Sequence, residues 1–477
     1  MGLNRDSHHF RSYEALFYGH KPEPNWSAED YANSVRERYD FVSKCKRGGI
    51  SHVNQPGRHD ESVVGVDIVS QYAAALMNMV IPAGRSKMVT SYDAKMYGFY
   101  EVRRLRFAED DLRFRCIAYA PPKATVKSCA KADGKDRTLN WKYPWNNSQT
   151  EHESVYLDSQ MLAYLTEECG LESFEVVKGY VSKQCIKGKC LFGKYVTPLV
   201  REKVRQDELQ KNSPLECNMA MREACKLLLN ALTGKLVEDC ARYYKLAFTS
   251  IEEEASGVHS RSNSKQVLLN GVKVIKVYDN GQNQASSVSN VRSRRIADVN
   301  VWVAAGVCVY SYSKILLFKY INLLPKQEED VIHVETDGIY FPARCLEAFR
   351  ENLARLPPNP AFPLAIGSEL GNVKIESVSI GSSYWLGKKF YYYRCEKKNE
   401  MVDVMRLRGI VQKTIAEDGT TIQVVQPSVY ERVYNGESFP LEFATLKKVF
   451  YGGKVHIQAH RTQRRVRPMC MPYGLYT

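Results

Sequence analysis

The sequence predicts an α+β fold built from antiparallel hairpins and long helices, and three stretches carry that prediction. The first is Val331 to Phe341, VIHVETDGIYF, where apolar residues flank a Glu335-Thr336-Asp337 tip. It reads as two short strands joined at a tight turn, with Gly338 helping the backbone reverse. The second is Val63 to Val66, a strand that delivers Asp67 into a helical run through Tyr72, Ala75, Leu76 and Met79. The third is Leu215 to Leu236, where Arg222, Lys226 and Asn230 stand four apart and share one helix face.

Each stretch has two chemical readings. Like charges so close at a hairpin tip repel. Glu335 and Asp337 are therefore either a solvated acidic turn or the seat of a divalent cation, whose hard-oxygen preference and charge suit them. Asp67 is either a helix cap or a second carboxylate for the same ion. Arg222 and Lys226 are either a solvated stripe or, facing a metal-bound triphosphate, a phosphate clamp.

In chain order, residues 1 to about 40 are polar, charged and aromatic, with Pro22, Pro24 and Trp26 marking a loop. Beyond the Asp67 helix come strand-like segments at Met88 to Tyr92, Tyr97 to Arg103 and Arg113 to Ala120. A Lys-rich loop, Lys123 to Lys135, is either solvated or a contact for DNA or an acidic partner. A helix from Ser159 to Glu168 and a strand from Phe174 to Tyr180 follow. Arg201, Lys203, Arg205 and Lys211 load a helix that Asn212-Ser213-Pro214 breaks. A hairpin from Gln266 to Tyr278 turns at Asn270-Gly271. Arg292, Arg294 and Arg295 lead into a helix from Ala297 to Leu324, expected to pack behind the acidic hairpin. A strand from Asn372 to Ser379 comes next. The last segment gathers five Arg or His residues between His460 and Arg467, read as phosphate contacts or a basic tail.

Composition narrows the class. At 477 residues the chain has room for about three domains. A net charge of +14 calls for an acidic partner. With 25% charged and 44% apolar residues this is a folded surface that binds nucleic acid. The 13 cysteines are scattered without a CxxC pair; Cys185 and Cys190 are the nearest two, so free thiols in a reducing compartment are expected. The N-terminal MGLNRDSHHF is polar, so no signal peptide is expected, and Asp6 stands where myristoylation needs Ser or Thr. Val299 to Leu324 is interrupted by Lys314 and Lys319, which makes it a core helix rather than a membrane span. A soluble, intracellular chain with no membrane partner is the expectation.

Three segments in this order resemble the polymerase motifs of family B DNA polymerases. D-x-x-S-L-Y-P is matched by Asp67-Ile68-Val69-Ser70-Gln71-Tyr72-Ala73, and K-x-x-x-N-S-x-Y-G by Lys226 to Gly234. Y-x-D-T-D-S is matched by His333 to Gly338, and a fourth element, K-x-Y, by Lys389-Phe390-Tyr391. Arg47-Gly48-Gly49 stands where protein-primed members carry Y-x-G-G. The spacings, about 160 residues from Asp67 to Lys226 and about 110 on to Asp337, resemble the protein-primed viral, organellar and linear-plasmid branch.

The resemblance implies a right-hand polymerase with a ferredoxin-like antiparallel palm, helical fingers and a small thumb. Residues 1–50 would be an N-terminal segment with the R-G-G linker, and 51–200 palm with a first insertion resembling a terminal-protein region. Residues 201–236 would be fingers, 237–400 palm with a second insertion at 237–290, and 401–477 thumb. A proofreading domain has no room ahead of the R-G-G element, so the chain is expected to be exonuclease-free or one part of a split polymerase.

The implied activity is template-dependent addition of dNTPs to a 3′-hydroxyl with two Mg²⁺ (or Mn²⁺), in protein-primed replication of a viral or plasmid-like linear genome. Asp67 and Asp337 would hold the metals with the Ile68 carbonyl, supported by Glu335. Lys226, Arg222, Ser70, Tyr72, Asn230 and Thr233 would form the nucleotide site. DNA contacts would come from Arg47, Gly48, Gly49, Lys389, Tyr391, Arg406, Arg408, Arg461, Arg464, Arg465 and Arg467. Implied partners are template-primer DNA, dNTPs, a terminal protein primer and a separate exonuclease or accessory chain. Glu335, Gly338, Ala231, Thr233 and Ala73 depart from the family's Asp, Ser, Ser, Tyr and Pro. The alternative is therefore an impaired relative that binds DNA or serves as a replication-complex subunit.

Overall fold

The computed structural model describes residues 28–108, 154–237, 244–249, 265–269, 272–278, 302–397, 399–410, 413–415, 421–423, 425–451 and 454–466. Its centre is a five-stranded sheet in the order Ser51–Val53, His333–Glu335, Gly338–Pro342, Val63–Ile68, Val373–Val378. Every pairing in it is antiparallel. Successive strand residues point to opposite faces. Val64, Val66 and Ile68 therefore join Val334, Ile339 and Phe341 in the main core. Val63 meets Ile332, Trp385, Tyr391 and Tyr393 on the other face. Burial on both faces explains why Val63–Ile68 is nearly all apolar.

The aromatic residues on that second face belong to a four-stranded sheet, Glu400–Leu407, Phe390–Lys397, Ser383–Gly387 and Gly57–His59. Against the first face lies the helix Val303–Ile321, buried along nearly its whole length. It packs on the helices Ala28–Lys44, Gln71–Asn78, Ser159–Glu168 and Met219–Leu236. Its polar groups find partners inside: Tyr320 donates to the Gly371 carbonyl (2.9 Å) and Lys314 to that of Arg47 (3.2 Å). Among the described residues no helix is long and apolar enough to cross a membrane.

The strand–Asp67–helix unit, the acidic hairpin, the helix Ser159–Glu168 and the strands Tyr97–Phe107, Leu171–Ser182 and Val373–Val378 lie where the sequence put them. Others differ. Residues Ala28–Lys44, where no helix was expected, form one. The helix expected from Leu215 begins at Met219, where the Asn218 side chain accepts from the Met221 N–H (3.0 Å). The preceding helix, Gly188–Asn212, runs through the boundary expected at 200/201. The hairpin Lys265–Leu269/Val272–Tyr278 pairs as expected and gains a third strand, Tyr244–Thr249. Its turn, Arg113 to Ala120, the Lys-rich loop and Arg292 to Arg295 lie outside the described residues. The C-terminal segment forms a long hairpin, Phe439–Tyr451 with Lys454–Val466.

Candidate active site

Asp67 leaves the strand Val63–Ile68 directly opposite Gly338. The Ile68 N–H donates to the Asp337 carbonyl at 2.8 Å, so the two acidic segments are tied by the sheet itself. At the hairpin tip the Asp337 N–H reaches the Glu335 carbonyl (2.6 Å), and the left-handed residue is Thr336, with φ 57°. Gly338 was expected to supply that freedom. It sits instead in regular pairing opposite Glu335 and Asp67.

Burial, the Asp337 charge and Glu376 push the Asp67 carboxyl up to about 7, against the pull of Lys374 and Lys226. Asp337 is raised as well, by burial first and by Glu335 and Glu376, with Lys226 opposing. Two carboxyls held near one another in a part-buried site favour an added positive charge. Mg²⁺ keeps waters and substrate oxygens beside one or two carboxylates, so this pair fits it. Among the described residues no three or more His, Cys, Asp or Glu side chains are grouped so as to hold a metal ion by themselves.

Lys374 and Glu376 were missed by the sequence reading. Lys374 lies opposite Asp67, and Glu376 occupies a bulge between Ile375 and Ser377. The segment VKIESV was recognised as a strand. Nothing local in it tells which strand it would flank.

Glu335, placed in the metal set, has both oxygens engaged. Oε2 lies 3.2 Å from His333 Nε2 and Oε1 lies 3.4 Å from Lys389 Nζ. Burial raises its carboxyl, but His333 and Lys389 outweigh that and hold it below the ordinary value.

On the helix Met219–Leu236, Arg222, Lys226 and Asn230 do line one outer face, with Lys226 and Asn230 exposed. Lys226 is near enough to favour the ionised forms of both Asp67 and Asp337. Arg222 is bound to Asp207 (2.5 Å) and Glu223 (2.6 Å). Asp207 also faces Lys203 (3.6 Å), whose ammonium donates to the Ser70 hydroxyl (3.3 Å). Lys203 thus joins Ser70 at this site, although the sequence had marked it only as part of a basic helix.

Tyr72 is half-buried and meets Tyr310 edge-on at 6.0 Å. Burial, then Tyr310 and Asp337, push its hydroxyl up to about 12. Thr233 is a core residue, 2% exposed, and its hydroxyl has no hydrogen-bond partner. A side chain so enclosed cannot present a surface to a nucleotide.

Among the expected DNA contacts, Arg47, Gly48, Gly49, Lys389, Arg406, Arg408, Arg464 and Arg465 are exposed. Arg464 reaches to Gly409, next to Arg408. Tyr391 is 4% exposed, its ring stacked on Trp385 at 4.9 Å. It belongs to the aromatic core with Trp385 and Tyr393. Arg461 lies on the last strand, with its side chain outside the described set, and Arg467 lies outside the described residues altogether.

No curated protein sequence matches the chain. Solved structures of phi29 DNA polymerase share its fold at 14% identity. The complex with primer-template DNA and incoming nucleotide has a TM-score of 0.53 and covers 89% of this chain; the chain spans 62% of that polymerase. The binary complex with primer-template DNA gives 0.56, covering 96% of this chain and 65% of the other. The orthorhombic crystal form gives 0.54, covering 97% and 68%. Residues 8–301, more than half of the chain, match the family described as DNA polymerase type B, organellar and viral, and the chain belongs to that family.

Proposed function

We propose that the chain is a DNA-directed DNA polymerase that adds dNTPs to a primer 3′-hydroxyl, with two divalent cations, Mg²⁺ or Mn²⁺, held by Asp67 and Asp337. The observation that carries this is the pairing of the Asp67 strand with the Asp337 hairpin, with the Lys226 charge close enough to act on both carboxyls. Bound there, the cations would activate the hydroxyl and offset charge on the departing pyrophosphate.

The chain's own residues supply the rest. Lys226 holds the nucleotide phosphates, with Lys203 and Ser70 at the same end of the site. Tyr72 lies beneath the sugar and excludes a 2′-hydroxyl, and Asn230 shapes the base-pair pocket. Lys389 holds the primer end; Arg406, Arg408, Arg464 and Arg465 track its phosphates. In this reading the five-stranded sheet is the floor of a palm spanning 51–200 and 237–400. Residues 201–236, with the helix that enters them from Gly188, are fingers, and 401–477 is a thumb. Protein-primed replication, with a terminal protein and accessory chains as partners inside the cell, fits the family and the basic surface. The phi29 polymerase complexes with primer-template DNA and nucleotide support the same substrates here.

Primer extension by the purified chain, with and without Mg²⁺, tests this. Asp67→Asn or Asp337→Asn should lower incorporation about a thousandfold, roughly 4 kcal/mol of barrier, while primer-template binding persists. Extension by either variant at the parental rate would remove that residue from the site. A parental chain that binds DNA but never extends it would leave the DNA-binding relative instead.

A further inference from the structure

Two departures from the Y-x-D-T-D pattern, His333 and Glu335, stand on the same face of one strand and touch. His333 is fully buried. Its Nδ1 lies 2.8 Å from the His52 carbonyl, which can only accept, so Nδ1 carries a proton and donates it. Nε2 then faces Glu335 Oε2 at 3.2 Å and donates to that carboxylate when the ring carries its second proton. Tyr340, Trp385 and Tyr391 surround the ring at centroid distances of 5.6, 5.5 and 5.2 Å, so it cannot swing away. The other Glu335 oxygen faces the Lys389 ammonium at 3.4 Å. Lys389 sits at the turn between Ser383–Gly387 and Phe390–Lys397, with φ 54°. An aspartate at position 335 is shorter by one methylene, about 1.5 Å. It could not span from the buried ring to the ammonium. Position 333 thus supplies an anchor and position 335 the reach.

We propose that His333 is a positioning residue which, through Glu335, fixes the Lys389 ammonium for an anionic primer phosphate. Glu335 is then a bracket between two sheets rather than a cation ligand. This rests on the polymerase reading for its setting, but the bracket is read out by DNA affinity as well as by turnover.

The experiment uses the full chain and a short primer-template duplex. Duplex affinity, kcat and the Mg²⁺ concentration for half-maximal rate are measured separately. His333→Phe keeps a flat ring among the aromatics and removes the bond to Glu335. It should weaken duplex binding about fivefold, close to 1 kcal/mol, with kcat and Mg²⁺ dependence within about twofold. His333→Gln, which keeps a donor near Nε2, should recover most of that affinity. His333→Phe combined with Lys389→Ala should bind no worse than Lys389→Ala alone, because both remove the same contact. Additive losses, or a shift in Mg²⁺ dependence with duplex affinity intact, would overturn the proposal. If His333→Phe does not fold, Glu335→Asp shortens the bracket and should give the same fivefold loss; unchanged affinity would refute it. Absence of extension by the parental chain would instead refute the polymerase reading, while the affinity comparison still decides the bracket.

Discussion

Gly49 lies against Thr336. A Cβ built on Gly49 would come within 2.8 Å of Thr336 Cγ2 and 3.2 Å of the Tyr72 hydroxyl. The neighbouring Ile50 carbonyl accepts the Thr336 N–H at 2.5 Å, and Lys46 donates to the Val237 carbonyl at the end of the Lys226 helix (3.0 Å). Residues 46–50 therefore touch the acidic tip, the tyrosine and the end of the helix Met219–Leu236 together. Their fitness for that place depends on the methyl group that Gly49 lacks.

Gly49→Ala is accordingly expected to displace the Thr336 turn and lose about 1–3 kcal/mol of stability, together with most of the extension rate. Gly48→Ala meets nothing within 4 Å and should change the melting free energy by less than about 0.5 kcal/mol. Thermal melting of the two variants side by side checks the contrast. Equal melting temperatures would mean that the turn yields freely.

Lys226 and Arg222 share a face but not a role. Lys226→Ala should raise the dNTP KM about tenfold, since Lys226 is exposed and electrostatically coupled to both aspartates. Arg222 is already paired with Asp207 and Glu223. Its replacement by Ala should loosen the helix pair by up to about 1 kcal/mol and change the dNTP KM far less. Steady-state kinetics with melting curves on both variants separates the two.

Tyr72→Val should keep dNTP incorporation mostly intact and admit ribonucleotides about tenfold more readily, because the ring acts by occupying space. Its half-buried position, edge-on to Tyr310, makes the ring rigid enough to do so. Extension with matched dNTP and rNTP sets gives the ratio; an unchanged ratio would assign sugar selection to another group.

Asp158 offers a pH test that does not involve Asp67 or Asp337. It caps the helix Ser159–Glu168 by accepting from the Met161 N–H (3.1 Å) and is 1% exposed. Burial pushes its carboxyl from 3.8 up to about 6, against hydrogen bonds from Ser311 and Met161 and the Lys314 charge. The folded state thus holds this proton more tightly than the unfolded chain. Its contribution is fully present below about pH 4 and is lost as the pH rises through about 6. Asp158→Asn keeps the capping oxygen without the charge and should stabilise the protein by about 3 kcal/mol at pH 8, with little change at pH 4. Denaturant melts at the two pH values check it. A loss of stability at pH 8 would show that Lys314 needs the charge.

The site's chain-order skeleton was legible because its parts announce themselves locally. VVGVD is apolar through to its acid, and VIHVETDGIYF alternates on either side of a polar tip. What stayed hidden depends on partners distant in sequence. Lys374 and Glu376 become site residues only through the pairing of their strand with Val63–Ile68 and the bulge between Ile375 and Ser377. Arg222 read as a second phosphate cation because Asp207, fifteen positions earlier, gives no sign of turning toward it. Thr233 and Tyr391 sit in motif positions, yet packing encloses both. Gly338 drew the turn role because glycine usually takes it, whereas the structure gives the left-handed conformation to Thr336.

The strand Val63–Ile68 receives its neighbour Gly338–Pro342 only after about 270 further residues have been made, and Val373–Val378 only after about 305. While the chain is being synthesised, both edges of this buried, largely apolar strand wait without partners, a state prone to sticking to other chains. The acidic centre is consequently among the last parts to assemble. Synthesis slowed or cooled after residue 68 gives that strand longer to find company elsewhere. A product that stops before Val378 is expected to be collected as aggregate rather than as a smaller working domain.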